Sequence, residues 1–290
     1  MSEQKPAIRT ISFVGLGLIG ASLLRAFRLS QPAGANRLFM KGYDQAVCEK
    51  ERSEVLSLGL DRFETDKKAL YDADLIVLAA PVQVNIGLLD EIREYAASPL
   101  LVTDVSSTKA LIAEKARELG IPFIGMHPMA GREQQGFRAA HEELLRGKTV
   151  ILCDNGAFLD GQGGQELMEL LESAGCRTML MDPVSHDRIV ANISHLPQLL
   201  STLLINYCEE NIAASGPGFA TLARLSGSSW SIWQDIVLTN SGNIAAELER
   251  FAGELLSLSS DVKNENIEGL ASRFSNANRL YETLKELHKP

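Results

Sequence analysis

The sequence predicts an α/β protein in two parts, an N-terminal Rossmann-type, doubly wound parallel sheet and an all-helical C-terminal domain. Short apolar runs alternate with polar helical segments over residues 10–181. A glycine-rich turn directly follows the first apolar run, and from residue 184 onward only helical periodicity remains. We therefore predict one domain of residues 1–182 and a second of residues 183–290.

The predicted elements follow from these patterns in chain order. Strands are predicted at residues 10–14, 37–43, 74–80, 100–104, 122–126, 149–153 and 177–181. Helical patterns between them cover residues 21–29, 45–58, 109–119 and 165–173, and a Pro/Gly loop is predicted at residues 31–36. The C-terminal helical patterns cover residues 188–208, 230–256 and 262–287, with breaks at residues 214–218 and 226–229. No internal repeat accompanies these elements.

A G-x-G-x-x-G motif lies between the first predicted strand and its helix. Its glycines are Gly15, Gly17 and Gly20, with Leu18 and Ile19 between the last two. The first glycine permits a tight turn, the second lets backbone approach a pyrophosphate, and the third lets the helix pack closely on the strand. The helix N-terminus then faces the phosphates. These five residues are the predicted dinucleotide-binding loop.

An acidic residue, Asp44, ends the second predicted strand. An acid at that position accepts hydrogen bonds from the adenosine ribose, which favours NAD over NADP. Asp44 could instead cap the helix predicted at residues 45–58. Pro81 and Asp104 end the next two strands. Because ligands bind outside the carboxyl ends of the strands in such sheets, both are predicted to contact the cofactor.

Two further polar residues follow predicted strands. Ser107 is a candidate for catalysis, although it could equally be the N-cap of the helix at residues 109–119. His127 lies between Met126 and Pro128 at the end of the fifth strand. A histidine packed in a core is the usual case, but one beside a nicotinamide site is placed to take a proton as hydride leaves.

Composition narrows the class of ligand. The formal net charge of −9 argues against a nucleic-acid surface. If the substrate is an anion, specific cations must attract it locally. Arg224 is the candidate, because the surrounding residues 220–225 are otherwise uncharged. Four scattered cysteines without a C-x-x-C pair indicate core residues in a reducing compartment and no metal site.

Targeting signals are not expected in this sequence. The first ten residues lack an apolar stretch, and the longest apolar runs are only of strand length. We therefore expect a cytoplasmic protein without a membrane partner. We expect no further domain before the glycine motif or after the helical part.

Together, several segments resemble the prephenate dehydrogenase family. They are the glycine motif, residues 104–109, the H-P-M-A-G block at residues 127–131, the S-H-L-P block at residues 194–197 and Arg224. The H-P-M-A-G block, twenty residues after Ser107, is the most specific of them. The resemblance implies NAD-dependent oxidative decarboxylation of prephenate to 4-hydroxyphenylpyruvate in tyrosine biosynthesis, and close relatives act on arogenate.

The resemblance also implies residue roles. His127 is the base that takes the ring hydroxyl proton, Ser107 hydrogen-bonds that hydroxyl and holds His127 in line, and Arg224 binds a substrate carboxylate. His195 and Gln198 are expected to line the substrate site, although His195 could equally be structural. The helical domain is expected to bind substrate and to form a homodimer, as in the family.

Two departures from the family pattern leave the substrate open. Many members carry a second histidine in S-H-L-P-H, where this chain has Gln198. Because glutamine carries no positive charge, arogenate or dual specificity is an alternative to prephenate. Residues 218–221 also depart from the family's usual Phe-Arg-Asp.

Other classes of protein share this architecture. A β-hydroxyacid dehydrogenase would be expected to carry a lysine base in the helical half, and residues 184–258 contain no lysine. Ketol-acid and pyrroline-carboxylate reductases do not account for the His127 block. A non-catalytic, NAD-binding regulatory protein is a remote alternative.

Overall fold

An eight-stranded sheet forms the N-terminal part of the protein. The computed structural model describes residues 8–31, 37–97, 99–131, 134–154 and 158–287. Residues 32–36 of the loop predicted at residues 31–36, and the first seven residues, where no apolar leader is expected, lie outside them. The strands are β1 Thr10–Val14, β2 Phe39–Tyr43, β3 Arg62–Phe63, β4 Leu75–Leu78, β5 Leu101–Asp104, β6 Phe123–Pro128, β7 Thr149–Cys153 and β8 Arg177–Met181.

The strand order is β3-β2-β1-β4-β5-β6-β7-β8, and every neighbouring pair is parallel except β6 and β7. This confirms the predicted α/β fold class, with one antiparallel junction inside the sheet. The described part of the connection between β6 and β7 contains only short 3-10 turns. Parallel neighbours are usually joined by a crossover helix, and the described part of this connection has none, so the chain returns antiparallel here.

Helices cover both faces of the sheet. They are α1 Leu18–Ser30, α2 Arg52–Ser57, α3 Lys67–Tyr71, α4 Val82–Tyr95, α5 Ala110–Glu118 and α6 Gln162–Ser173. Strand β4 shows the consequence for its side chains. Leu75 and Val77 belong to the hydrophobic core on one face, whereas Ile76 and Leu78 belong to the core on the other. Burial on both faces explains its continuous apolar run.

Some boundaries differ from the prediction. Strand β6 extends to Pro128, so His127 lies inside the strand, because β7 runs alongside and pairs His127 with Ile151. The helix predicted at residues 45–58 is only a 3-10 turn at Glu49–Glu51 followed by α2. The two-residue strand β3 was not predicted at all.

The rest of the chain is helical, as expected. It contains α7 Pro183–Val190, α8 Leu196–Tyr207, α9 Pro217–Ala223, α10 Trp230–Lys263 and α11 Ile267–Leu287. The single pattern predicted at residues 188–208 is divided by a π-helical turn, Ala191–His195. Helix α10 has a non-helical residue, Asn240, with φ −137° and ψ 24°. Within the described ranges, no helix is long and apolar enough to cross a membrane.

Polar contacts attach the helices to the sheet domain. The Asp187 carboxylate on α7 accepts hydrogen bonds from the Lys109 and Ala110 amides at the start of α5, at 2.7 and 2.9 Å. Thr239 on α10 lies 2.8 Å from Thr108, oxygen to oxygen, and the contact is buried. These contacts place α7 and α10 against the carboxyl edge of the sheet.

Candidate active site

A groove runs along the carboxyl edge of the sheet between β1 and β4. One cavity of about 530 Å³ is lined by residues that include Gly15, Gly17, Asp44 and Pro81. A second, of about 510 Å³, is lined by Gly17, Leu18, Ile19, Pro81 and Ser107 among others. The two cavities share Gly17 and Pro81, and they lie where the strand order reverses direction. Dinucleotides bind at this switch point in doubly wound sheets.

The glycine turn fits a phosphate group. A Cβ on Gly20 would lie 2.3 Å from the Gly15 carbonyl oxygen, so that glycine is required for close packing inside the protein. A Cβ on Gly17 would meet nothing within 4 Å. Gly17 is the N-cap of α1, and neither a side-chain cap nor an acidic residue occupies that first turn. The amides there are therefore open to an anion.

Asp44 connects the end of β2 to the glycine turn. One carboxylate oxygen accepts the Leu16 amide at 2.7 Å, and the other accepts the Ala46 amide at 2.8 Å. The next helical turn begins at Glu49 with Cys48 as its N-cap, so Asp44 does not cap a helix. Each carboxylate oxygen retains acceptor capacity for a hydroxyl group in the first cavity.

The position of Asp104 does not agree with the prediction that this residue contacts the cofactor. Its side chain is fully buried, lies 2.5 Å from the Lys109 ammonium and accepts the Ser106 amide at 2.9 Å. The Lys109 side chain is fully buried as well. We therefore correct the prediction: the Asp104 carboxylate balances the buried charge of Lys109 and does not reach the groove.

Ser107 is half-buried and lines the second cavity. The prediction that it could cap the following helix is wrong, because the N-cap of α5 is Lys109. The first amides of α5 are bound instead by Asp187, from outside that helix. Ser107 therefore lies in the groove without a capping role.

His127 belongs to a buried chain of hydrogen bonds. Its Nδ1 lies 2.9 Å from Nε2 of His186, and Nδ1 of His186 lies 2.8 Å from Oδ1 of Asp187. His186 and Asp187 are 0% and 1% exposed, whereas His127 is 9% exposed. Burial, reinforced by the nearby Lys109 ammonium, holds the pKa of His127 well below its usual value. The His127 imidazole is therefore uncharged at neutral pH.

His195 is 1% exposed and ends the π-helical turn. The Asn240 side-chain nitrogen donates to the Asp187 carbonyl at 2.7 Å and lies 3.3 Å from His195 Nδ1. His195 Nε2 has no partner in the described part of the chain. Burial lowers the pKa of His195 to about 4, and its ring meets Trp233 edge-on at 5.8 Å between centroids.

Gln198 has a different role from the one predicted. It is 5% exposed, its side-chain nitrogen donates to the Leu225 carbonyl at 2.7 Å, and its side-chain oxygen accepts from the Ser228 hydroxyl at 3.1 Å. We therefore correct its substrate-binding assignment, because the nitrogen and the oxygen of the amide both bind the turn that begins at Arg224. Arg224 itself is exposed and begins that turn.

Sequence reasoning missed His186, Asp187 and Asn240. The first two form a His-Asp dipeptide between the predicted domain boundary and the periodic segment that begins at residue 188. That dipeptide was the available signal. No sequence signal was available for Asn240, because an asparagine within a long helical pattern does not indicate that the helix is kinked there.

Comparison with known proteins agrees with this geometry. The family model described as "Prephenate dehydrogenase, nucleotide-binding domain" matches residues 34–180, and the one described as "Prephenate dehydrogenase, dimerization domain" matches residues 182–276. Prephenate dehydrogenase of Bacillus subtilis (strain 168) is 30% identical over 283 residues, which cover 92% of this chain and 74% of the relative.

Two solved structures share the fold along nearly the whole chain. Prephenate dehydrogenase from A. aeolicus, in complex with hydroxyphenyl propionate and NAD+, superposes with a TM-score of 0.85 at 24% identity and covers 96% of this chain and 98% of that one. Synechocystis arogenate dehydrogenase has a TM-score of 0.81 at 29% identity and covers 95% of this chain and 99% of that one.

Proposed function

This chain belongs to the prephenate dehydrogenase family, and from that premise we propose that it catalyses the NAD-dependent oxidative decarboxylation of prephenate to 4-hydroxyphenylpyruvate in tyrosine biosynthesis. The observation that carries this proposal is a buried, uncharged His127 at the carboxyl edge of a sheet whose switch-point groove fits a dinucleotide. Hydride transfer from a hydroxyl-bearing carbon to NAD needs that combination of base and cofactor groove.

NAD is the cofactor that the groove fits. Gly15, Gly17 and Gly20, with the Leu18 and Ile19 amides at the start of α1, would hold the pyrophosphate. Asp44 would accept hydrogen bonds from the adenosine ribose, and Pro81 would lie against the cofactor where the two cavities meet. When bound, the nicotinamide accepts a hydride from the carbon that carries the substrate's ring hydroxyl.

His127 supplies the base for that oxidation. It takes the ring hydroxyl proton while Ser107 hydrogen-bonds the same oxygen and fixes its position. The bond to the ring carboxylate then breaks, its electron pair enters the ring, and carbon dioxide leaves. The former hydroxyl oxygen takes the proton back from His127 as the ring becomes aromatic. Aromatisation drives the decarboxylation, so the residues only bind, orient and accept a proton.

The substrate's charges require cationic or hydrogen-bond-donating partners in a protein of net charge −9. We assign Arg224 to a carboxylate, since its guanidinium can bind one with two parallel hydrogen bonds. We assign His195 the role of an uncharged hydrogen-bond donor to the substrate, because its Nε2 has no partner among the described residues. Gln198 would act indirectly by holding the Arg224 turn.

Arogenate is the second candidate substrate, alone or together with prephenate. Gln198 stands where many family members carry a histidine, and its amide is occupied by the Arg224 turn. The substrate side chain therefore meets one imidazole fewer than in those members. The similarity to a Synechocystis arogenate dehydrogenase points the same way.

The helical part is proposed to bind substrate and to form a homodimer, which matches the description of the family model over residues 182–276. None of the 21 residues of α11 is buried in the single chain, although Phe274, Tyr281 and Leu287 are large and apolar. All four cysteines are free thiols, which supports a reducing compartment such as the cytoplasm.

The deciding experiment follows NADH formation at 340 nm with NAD+ and either prephenate or arogenate in parallel. We expect turnover of prephenate, and His127→Asn should lower kcat by about a hundredfold or more with little change in NAD+ affinity. His141→Asn is the matched control, because His141 lies outside the groove and makes a helix-capping contact that asparagine also makes. Faster turnover of arogenate would select the second candidate, and an inactive wild-type protein would refute both.

A further inference from the structure

We propose that His186 and Asp187 are positioning residues that fix the proton of His127 on Nδ1 and so leave its Nε2 as the basic atom. The proposal depends on the proposed function in one respect only, namely that His127 acts as the base in catalysis. Its geometric evidence is a buried chain of three side chains on β6 and α7. The contact from His127 to His186 is 2.9 Å long, and the contact from His186 to Asp187 is 2.8 Å long.

The direction of the chain is set at Asp187. Its Oδ1 accepts the Lys109 amide at 2.7 Å, and its Oδ2 accepts the Ala110 amide at 2.9 Å. A carboxylate held by two backbone donors acts as an acceptor, so the contact at 2.8 Å requires His186 to donate from Nδ1. Because the amides begin α5, the carboxylate is also fixed in place by a second helix.

The proton pattern then continues to His127. His186 is fully buried, and we assign its ring a single proton because a second would add a buried positive charge. With its one proton on Nδ1, His186 offers a lone pair at Nε2. His127 must therefore donate from Nδ1 across the 2.9 Å contact, which leaves its own Nε2 unprotonated.

The same line of residues serves the reaction after the proton is taken. When His127 becomes an imidazolium, its Nδ1–H still donates to His186, whose other nitrogen contacts the Asp187 carboxylate. The carboxylate stabilises the new charge through an oriented imidazole without receiving a proton itself, which is the logic of a catalytic triad extended by one residue. Asp104 already balances Lys109, so Asp187 is available for this purpose.

The test reads the tautomer of His127 directly. The chain has five histidines, so nitrogen-15 labelling and two-dimensional NMR of the imidazole nitrogens can assign His127 by comparison with His127→Asn. In the NAD+-bound wild type at neutral pH we expect the Nδ1–H tautomer. In His186→Leu, where the acceptor is gone, we expect the Nε2–H tautomer that free imidazole side chains prefer. His186→Gln offers an amide oxygen to His127 and an amide N–H to Asp187, and should restore Nδ1–H.

Kinetics provide the second readout. His186→Leu should lower kcat by about a hundredfold or more and leave KM nearly unchanged, His186→Gln should recover most of that loss, and His141→Leu should have no effect. An Nε2–H wild type, or a His186→Leu variant that retains Nδ1–H, would overturn the relay. An inactive wild type with Nδ1–H on His127 would refute the proposed function and leave the relay intact, because the NMR measurement needs no substrate.

Discussion

At the scale of single residues, the roles proposed for two buried histidines are opposite. In the proposed relay His127 keeps a lone pair on Nε2, whereas Asn240 donates toward Nδ1 of His195, so that the His195 N–H lies on Nε2. The position of His127 was predictable because it directly follows the apolar run at residues 122–126. Its partner His186 was not, because the two are 59 residues apart and meet only when α7 docks on the sheet.

His195 should make the protein acid-sensitive. Its pKa is about 4 in the folded protein and 6.5 in an unconstrained chain, so between these values the unfolded state binds the extra proton. Stability should therefore fall as the pH falls from about 6.5, by about 2 kcal/mol at pH 5 from this group alone. Urea unfolding at pH 7.5 and pH 5 measures the change, and His195→Gln should make it smaller. An equal loss in the variant would refute this assignment.

Asp44 should determine the choice between cofactors. Asp44→Asn keeps an oxygen for the Leu16 amide but removes the negative charge from the first cavity. The affinity for NAD+ should fall by about tenfold, and the advantage over NADP+ should narrow because a 2′-phosphate no longer meets a carboxylate. Titration of each cofactor against both proteins measures this, and an unchanged preference would confine Asp44 to holding the glycine turn.

At the scale of elements, the N-termini of two helices shape the groove and hold Asp187 in place. The N-terminus of α1 opens on the groove, and the N-terminus of α5 is bound by Asp187 from another helix. The strand-turn-helix unit at residues 10–30 could be predicted because its signal is local. The π-helical turn could not, since apolar periodicity continues through it and only the backbone hydrogen bonds change.

Two alanine substitutions should separate the tasks of the glycine turn. Gly17→Ala adds a methyl group that meets no protein atom within 4 Å, so unfolding should be unchanged while the Kd for NAD+ rises by tenfold or more. Gly20→Ala places its methyl 2.3 Å from a carbonyl oxygen, which should destabilise the fold by about 3 kcal/mol or more. Thermal melts with and without NAD+ compare them. Normal NAD+ binding by a stable Gly17→Ala protein would exclude the pyrophosphate from this turn.

At the scale of the whole molecule, large apolar side chains are buried in the sheet domain but exposed on the last helix. Helix α11 exposes Ile267, Phe274 and Tyr281 at 60–71% in the single chain, whereas the sheet domain buries continuous cores on both faces. The sequence predicted the change from a sheet to helices alone, because composition and periodicity change together near residue 182. The sequence could not predict which helical face stays uncovered, because an amphipathic pattern does not identify the element that packs on its apolar face.

Phe274→Glu should convert a dimer to a monomer. A charge at a side chain that is 71% exposed costs little in the isolated chain but would be costly in an apolar interface. Light scattering coupled to size-exclusion chromatography gives the mass of each form. Leu29→Glu, on α1 at 66% exposure, is the control and should remain dimeric. A monomeric wild type would contradict the proposed assembly.

The anchoring of Asp187 on α5 limits how this protein can be recombined. The boundary between the two matched family domains lies near residue 181, yet the base stands on one side of it and the residues that orient the base stand on the other. A chimera joined at that boundary would inherit a nucleotide-binding half from one parent and the His-Asp pair from another. We therefore expect that an exchange which preserves activity must carry residues 104–128 and 183–195 together.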